Sequence, residues 1–113
     1  VSNADLLIRQ RCEEMIAYAY VAIRHFPKFE RHVLGAEIRE SLWSLLRAII
    51  ICNKRYHKKT TLTDLDAELD VLRAQVRTAF SLQYLDQKKY ENWARLNDEL
   101  GRMIGGWIKS QQG

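Results

Sequence analysis

The sequence predicts an all-α chain folded as a single antiparallel four-helix bundle that runs up-down-up-down. Three observations predict it. Apolar residues recur at steps of three and four along four separate stretches, the pattern of helices that each bury one face. One proline and five glycines are too few for the turns of an all-β domain. A length of 113 residues with 47% hydrophobic content suits one compact core. There is no repeat and no second domain, so one domain is expected over residues 5–110. Val1, Ser2, Asn3 and Ala4 read as a cloning remnant or a disordered terminus, because Ser-Asn-Ala is a common tag scar.

The first helix is expected over residues 5–25. Ile8, Cys12, Met15, Ala19, Ala22 and Phe26 alternate by four and three and share a face. Pro27 stops it, since proline lacks an amide donor and disfavours helical geometry in Phe26. The same proline suits the first turn of a second helix, expected over residues 28–56. There Leu34, Ile38, Leu42, Leu45, Ile49, Cys52 and Tyr56 repeat the rhythm, while Trp43, Leu46 and Ile50 widen the stripe. A stripe that wide suits a helix covered on two sides, within a bundle or at a subunit contact.

Residues 53–63 read as a polar connection. Thr63 is the expected N-cap of the third helix, with Asp64, Asp66 and Glu68 near its positive end. Leu65, Leu69, Leu72, Val76 and Ala79 form its stripe until Gln83, where Leu82 and Leu85 take over. Asp86 is the expected N-cap of the fourth helix, which runs to about Lys109. Tyr90, Trp93, Asn97, Leu100, Ile104 and Trp107 share its inner face; Asn97 points outward or bonds across the bundle. Helices of about 20 residues span about 30 Å, and short connections make neighbours antiparallel.

That topology gathers basic charge at both ends of the bundle. One end collects Arg24, His25, Lys28, Arg31, His32, Lys88 and Lys89; the other collects Arg9, Lys54, Arg55, His57, Lys58, Lys59, Arg102 and Lys109. The formal charge of +4 and pI near 9.2 permit an anionic partner without establishing one. The run from Lys54 to Lys59 is the best candidate for phosphate contacts. It reads equally as a solvated helix end whose cations complement the dipole. Tyr56, inside the run, either stacks on a base or packs in the stripe of the second helix.

Catalytic chemistry finds little support. His25, His32 and His57 belong to no metal-binding spacing, HExxH and CxxC are absent, and no metal or other cofactor is expected. Cys12 and Cys52 fall on apolar stripes and read as buried, reduced cysteines of a cytoplasmic protein. A helical RNase of the HEPN type is similar in size and class, but no arginine precedes a histidine at that family's interval. The chain is therefore expected not to be an enzyme. No stretch reaches the ~18 apolar residues of a membrane span.

Glycine in a helix costs about 1 kcal/mol relative to alanine, so Gly101, Gly105 and Gly106 within the last helix call for a reason. Gly101 and Gly105 stack on one face, which suits either tight packing inside the monomer or a contact between copies. Trp107 beside them and Trp43 on the second helix read as core or as self-association residues.

Three stretches carry a resemblance. They are Phe26-Pro27-Lys28 with Glu30-Arg31, Leu34-Gly35-Ala36-Glu37-Ile38-Arg39, and Leu100-Gly101-Arg102-Met103-Ile104-Gly105-Gly106-Trp107-Ile108-Lys109. Together they resemble the accessory variability determinant (Avd) proteins of diversity-generating retroelements. The chain is also similar to the four-helix-bundle proteins encoded in intervening sequences of 23S ribosomal RNA genes. The Gly-Gly-Trp-Ile-Lys ending favours the first group. The resemblance implies a non-enzymatic homopentamer that binds nucleic acid, RNA with DNA as a further partner, and a retroelement reverse transcriptase in support of mutagenic cDNA synthesis. The alternative it leaves is an intervening-sequence bundle with a structural or RNA-associated role and no such enzyme partner. For nucleic acid, Lys54, Arg55, Lys58 and Lys59 rank first and Arg24, Lys28, Arg31 and Arg39 second, with an ion pair inside the bundle the other reading of Arg39.

Overall fold

In the computed structural model, which describes residues 3–112, four helices account for most of the chain. They are α1 (Asn3–Ile23), α2 (Leu34–Lys54), α3 (Lys59–Ser81) and α4 (Gln87–Ser110). Each packs on its neighbours in sequence, and α1 closes the square against α4. The up-down-up-down bundle expected from the sequence is the fold. Of the four residues read as a remnant or disordered terminus, Val1 and Ser2 lie outside the described residues, and Asn3 and Ala4 stand in the first turn of α1.

The predicted stripes meet inside. Met15, Leu42, Leu45, Ile49, Leu65, Leu69, Leu72, Trp93, Leu100 and Ile104 are buried in one continuous core. Each such large side chain contributes roughly 1.5–3 kcal/mol of transfer free energy. Arg11 on α1 pairs with Glu99 on α4 at 2.8 Å across the closing seam.

The helix boundaries depart from the sequence-based expectation in three places. Pro27 does not open α2. Its carbonyl accepts the amides of Glu30 (2.8 Å) and Arg31 (3.1 Å), starting a turn that leads through a 3-10 segment, Glu30–His32, before α2 begins at Leu34. The extra residues let the chain turn over the end of the core, where Phe26 is buried. Gly35 then sits so close to α1 that a Cβ there would lie 2.9 Å from Ile23 Cγ2 and 3.2 Å from the Glu30 carbonyl.

The second departure is at the other end. The connection from α2 to α3 is residues 55–58 rather than 53–63, and α3 begins at Lys59. Thr63 is no N-cap; its hydroxyl donates to the Lys59 carbonyl within the helix. Thr61 is buried instead, and accepts a hydrogen bond from Arg55 Nη1 at 2.9 Å, so a threonine does organise this start, two residues earlier.

The third is the end of α3. Gln83 adopts a left-handed conformation (φ 66°), the Tyr84 amide reaches back to the Ala79 carbonyl (2.8 Å), and the Gln83 amide to Phe80 (2.9 Å). This is a Schellman ending with glutamine where glycine is usual. Tyr84 follows it inward against Phe26, ring centroids 5.6 Å apart. Asp86 caps α4 as the sequence predicts, accepting the Lys89 amide at 2.8 Å and pairing with Lys89 Nζ at 2.9 Å.

Candidate nucleic-acid interface

The end of the bundle where α2 gives way to α3 carries the first-ranked cluster. Arg55 is extended (φ −89°, ψ 143°), which throws residues 55–58 off the helix axis. Tyr56 therefore leaves the α2 stripe on which its spacing had placed it. It is 90% exposed and meets the His57 ring edge-on at 4.9 Å. The packing reading of Tyr56 is overturned, because α2 ends two residues before it.

Around this protruding aromatic pair the four cations divide into two kinds. Lys54 and Lys59 are exposed, and among the described residues neither ammonium is engaged in an ion pair or hydrogen bond. Arg55 is exposed and anchored at one nitrogen by Thr61. Lys58 is different. Its ammonium donates to the carbonyls of Cys52 (2.6 Å), Asn53 (3.5 Å) and Arg55, and lies 5.8 Å from the centre of the Trp107 ring. A lysine has three donors. Lys58 thus donates to the carbonyls at the α2 C-terminus and positions the loop, leaving Lys54, Arg55 and Lys59 to face outward.

The second-ranked cations stand at the opposite end of a molecule 45 Å long. Arg24 and Lys28 are exposed. Arg31 Nε donates to the Phe26 carbonyl (3.0 Å), and Arg39 Nη2 donates to the Arg31 carbonyl (3.1 Å), so these two arginines tie down the turn between α1 and α2. Arg39 makes no ion pair among the described residues; its guanidinium lies 6.0 Å from the centre of the Tyr20 ring. The fold does not bring the two basic clusters together.

The residues read as packing or self-association positions also separate. Trp107 is buried. Gly101 lies under the Arg73 guanidinium, the far end of a flexible side chain that would have to shift to admit a Cβ. Gly105 and Gly106 have no atom within 4 Å of where a Cβ would stand. The monomer therefore gives Gly101 a close neighbour and the glycine pair none. Trp43 is 46% exposed, and its indole N–H donates to the Tyr20 hydroxyl at 2.9 Å. This Tyr20–Trp43–Arg39 group was not singled out from the sequence, although Arg39, Trp43 and Arg47 recur every four residues on α2 and so mark one row.

Asn97 is buried within the bundle, with Oδ1 lacking a hydrogen-bond partner; it neither points outward nor bonds across. Among the described residues no three His, Cys, Asp or Glu side chains converge as metal ligands. Cys12 and Cys52 are both buried and free. Burial pushes the Cys12 thiol up to about 12 and raises that of Cys52, so neither forms a ready nucleophile. No helix among the described residues is long and apolar enough to cross a membrane.

With this geometry in place, comparison with known families finds a match. A family model described as bAvd-like covers residues 6–111, nearly the whole bundle. Comparison with curated proteins found none that matches.

Proposed function

The chain belongs to the bAvd-like family, and on that premise we propose that it is a non-enzymatic accessory protein that binds RNA and a retroelement reverse transcriptase and supports mutagenic cDNA synthesis. It acts in the cytoplasm as a homo-oligomer, a pentamer by analogy with the Avd proteins it resembles. The RNA contact is the loop end of the bundle, where Lys54, Arg55 and Lys59 supply phosphate contacts and Tyr56 supplies a stacking face. DNA is a second ligand of the same chemistry.

The observation that carries this reading is Tyr56, 90% exposed among outward-facing cations. A solvated helix end needs cations to complement its dipole, and Lys58 already does that. It needs no protruding aromatic ring. Base stacking on an aromatic side chain contributes about 1–3 kcal/mol per base and is sequence-tolerant, the behaviour expected of a general RNA platform.

The test is RNA binding across a salt series. Each phosphate contact adds about 0.7–0.9 to the logarithmic salt slope. Changing Lys54, Arg55 and Lys59 to alanine while keeping Lys58 is expected to weaken binding and lower that slope. Tyr56→Ala is expected to weaken single-stranded RNA binding with the slope unchanged. Co-purification of the chain with a reverse transcriptase encoded beside it tests the second partner. Absence of RNA binding at low salt removes the RNA part of the proposal.

A further inference from the structure

Helix α2 carries opposite chemistry on its two flanks at the same height. Towards α1 stand Arg39 and Trp43, with Tyr20 and the exposed Arg24 of α1 beside them. Trp43 is half-exposed, yet its N–H is fixed by the Tyr20 hydroxyl, and Arg39 lies near the face of the Tyr20 ring. The result is a rigid aromatic surface flanked by positive charge. Trp, Tyr and Arg are the residues that most often dominate the energy of a protein contact.

Towards α3 the same turns of α2 form the wall of a trough of about 300 Å³. Glu37, Glu40, Ser41 and Ser44 of α2 and Glu68 and Gln75 of α3 line it. Three carboxylates face this trough and no cation lines it. Ser44 donates to Glu68 at 3.3 Å, and Gln75 Oε1 is buried without a hydrogen-bond partner. The trough is rich in acceptors and short of donors.

We propose that these two faces dock on each other between copies of this chain, Arg24, Arg39 and Trp43 of one copy seating against Glu37, Glu40 and Glu68 of the next. This rests on the self-association in the function proposed above and supplies its contact surface. The occupant is a second copy because the complementary charge lies on the chain itself.

Two different faces pairing head to tail make a heterologous contact, which repeats from one copy to the next.

The test is a charge exchange read as mass in solution. One variant carries Arg24→Glu with Arg39→Glu, the other Glu37→Arg with Glu40→Arg. Each alone is expected to run as monomer, and an equimolar mixture of the two is expected to regain high mass, which also shows that both are folded. Trp43→Ala is expected to weaken association of the otherwise native chain at least tenfold. If either charge variant alone keeps the native mass, or the mixture stays monomeric, the docking is wrong. If the first variant keeps its mass and loses RNA binding, the α1–α2 face is a nucleic-acid surface instead. A native chain that is monomeric at micromolar concentration and low salt removes self-association itself, and this contact with it.

Discussion

The Tyr20 hydroxyl accepts the indole N–H of Trp43 across two helices, at 2.9 Å, on the outside of the bundle. A surface tryptophan held in one orientation presents contact area at low entropic cost. The other two tryptophans are buried. Trp43 is therefore expected to supply the quencher-accessible emission of the dissociated protein. Acrylamide quenching of a Trp43→Phe variant in dilute, high-salt solution is expected to fall to the level of a core indole.

Glycines in α2 and α4 are expected to respond in opposite directions. Gly35→Ala places a methyl against Ile23 and the Glu30 carbonyl and is expected to cost about 1–3 kcal/mol by overpacking. Gly105→Ala enters open space and is expected to stabilise the monomer by about 1 kcal/mol through helix propensity. Denaturant unfolding of the two variants checks both signs. Any loss of assembly in the second variant reports a contact between copies, since its fold is not impaired.

Gln83→Gly is expected to raise stability by about 0.5–1 kcal/mol, because glycine adopts the left-handed conformation of this helix end without the Cβ penalty. Thermal unfolding measures it. A fall in melting temperature would mean that the glutamine side chain contributes more than the conformation costs.

Lys58 and its neighbours are expected to divide in stability as they do in geometry. Lys58→Met leaves α2 carbonyls without their charged donor and is expected to cost about 1–2 kcal/mol. Lys54→Ala and Lys59→Ala are expected to lie within about 0.5 kcal/mol of the native chain. Equal losses at all three positions would contradict the special place given to Lys58.

The side-chain hydrogen bond and ion pair with Lys89, together with the Lys89 amide, hold the Asp86 carboxyl below its usual range. A depressed folded pKa means that its stabilising contribution is present above the unfolded value and is lost as pH falls through the folded one. The melting temperature is expected to drop over that acidic window, and to drop less steeply in Asp86→Asn. The same acid limb in both proteins would remove Asp86 as its source.

These responses also mark where the sequence was legible. The stripes through Leu42, Leu69 and Trp93 announced the bundle because burial repeats with the helical period. Asp86 announced its helix because a carboxylate cap acts within one turn. The start of α3 was hidden, since its organising contact runs from Arg55 to Thr61 across a loop whose course no local pattern encodes. Tyr56 misled for a related reason: it keeps the period of α2 after the helix has stopped. The exposure of Trp43 was unreadable, because a wide apolar stripe looks alike whether the second cover is a neighbouring helix or another molecule.

Four antiparallel helices return the chain to the end it started from, so Asn3 and Gln112 both stand at the bundle end that carries the Lys54–Lys59 loop. Anything fused to either terminus is delivered beside the surface proposed for RNA. A label or partner domain there competes for that surface. A circular permutant that joins the two termini and opens the chain within residues 82–86 moves the free ends to the far side and leaves the loop end clear.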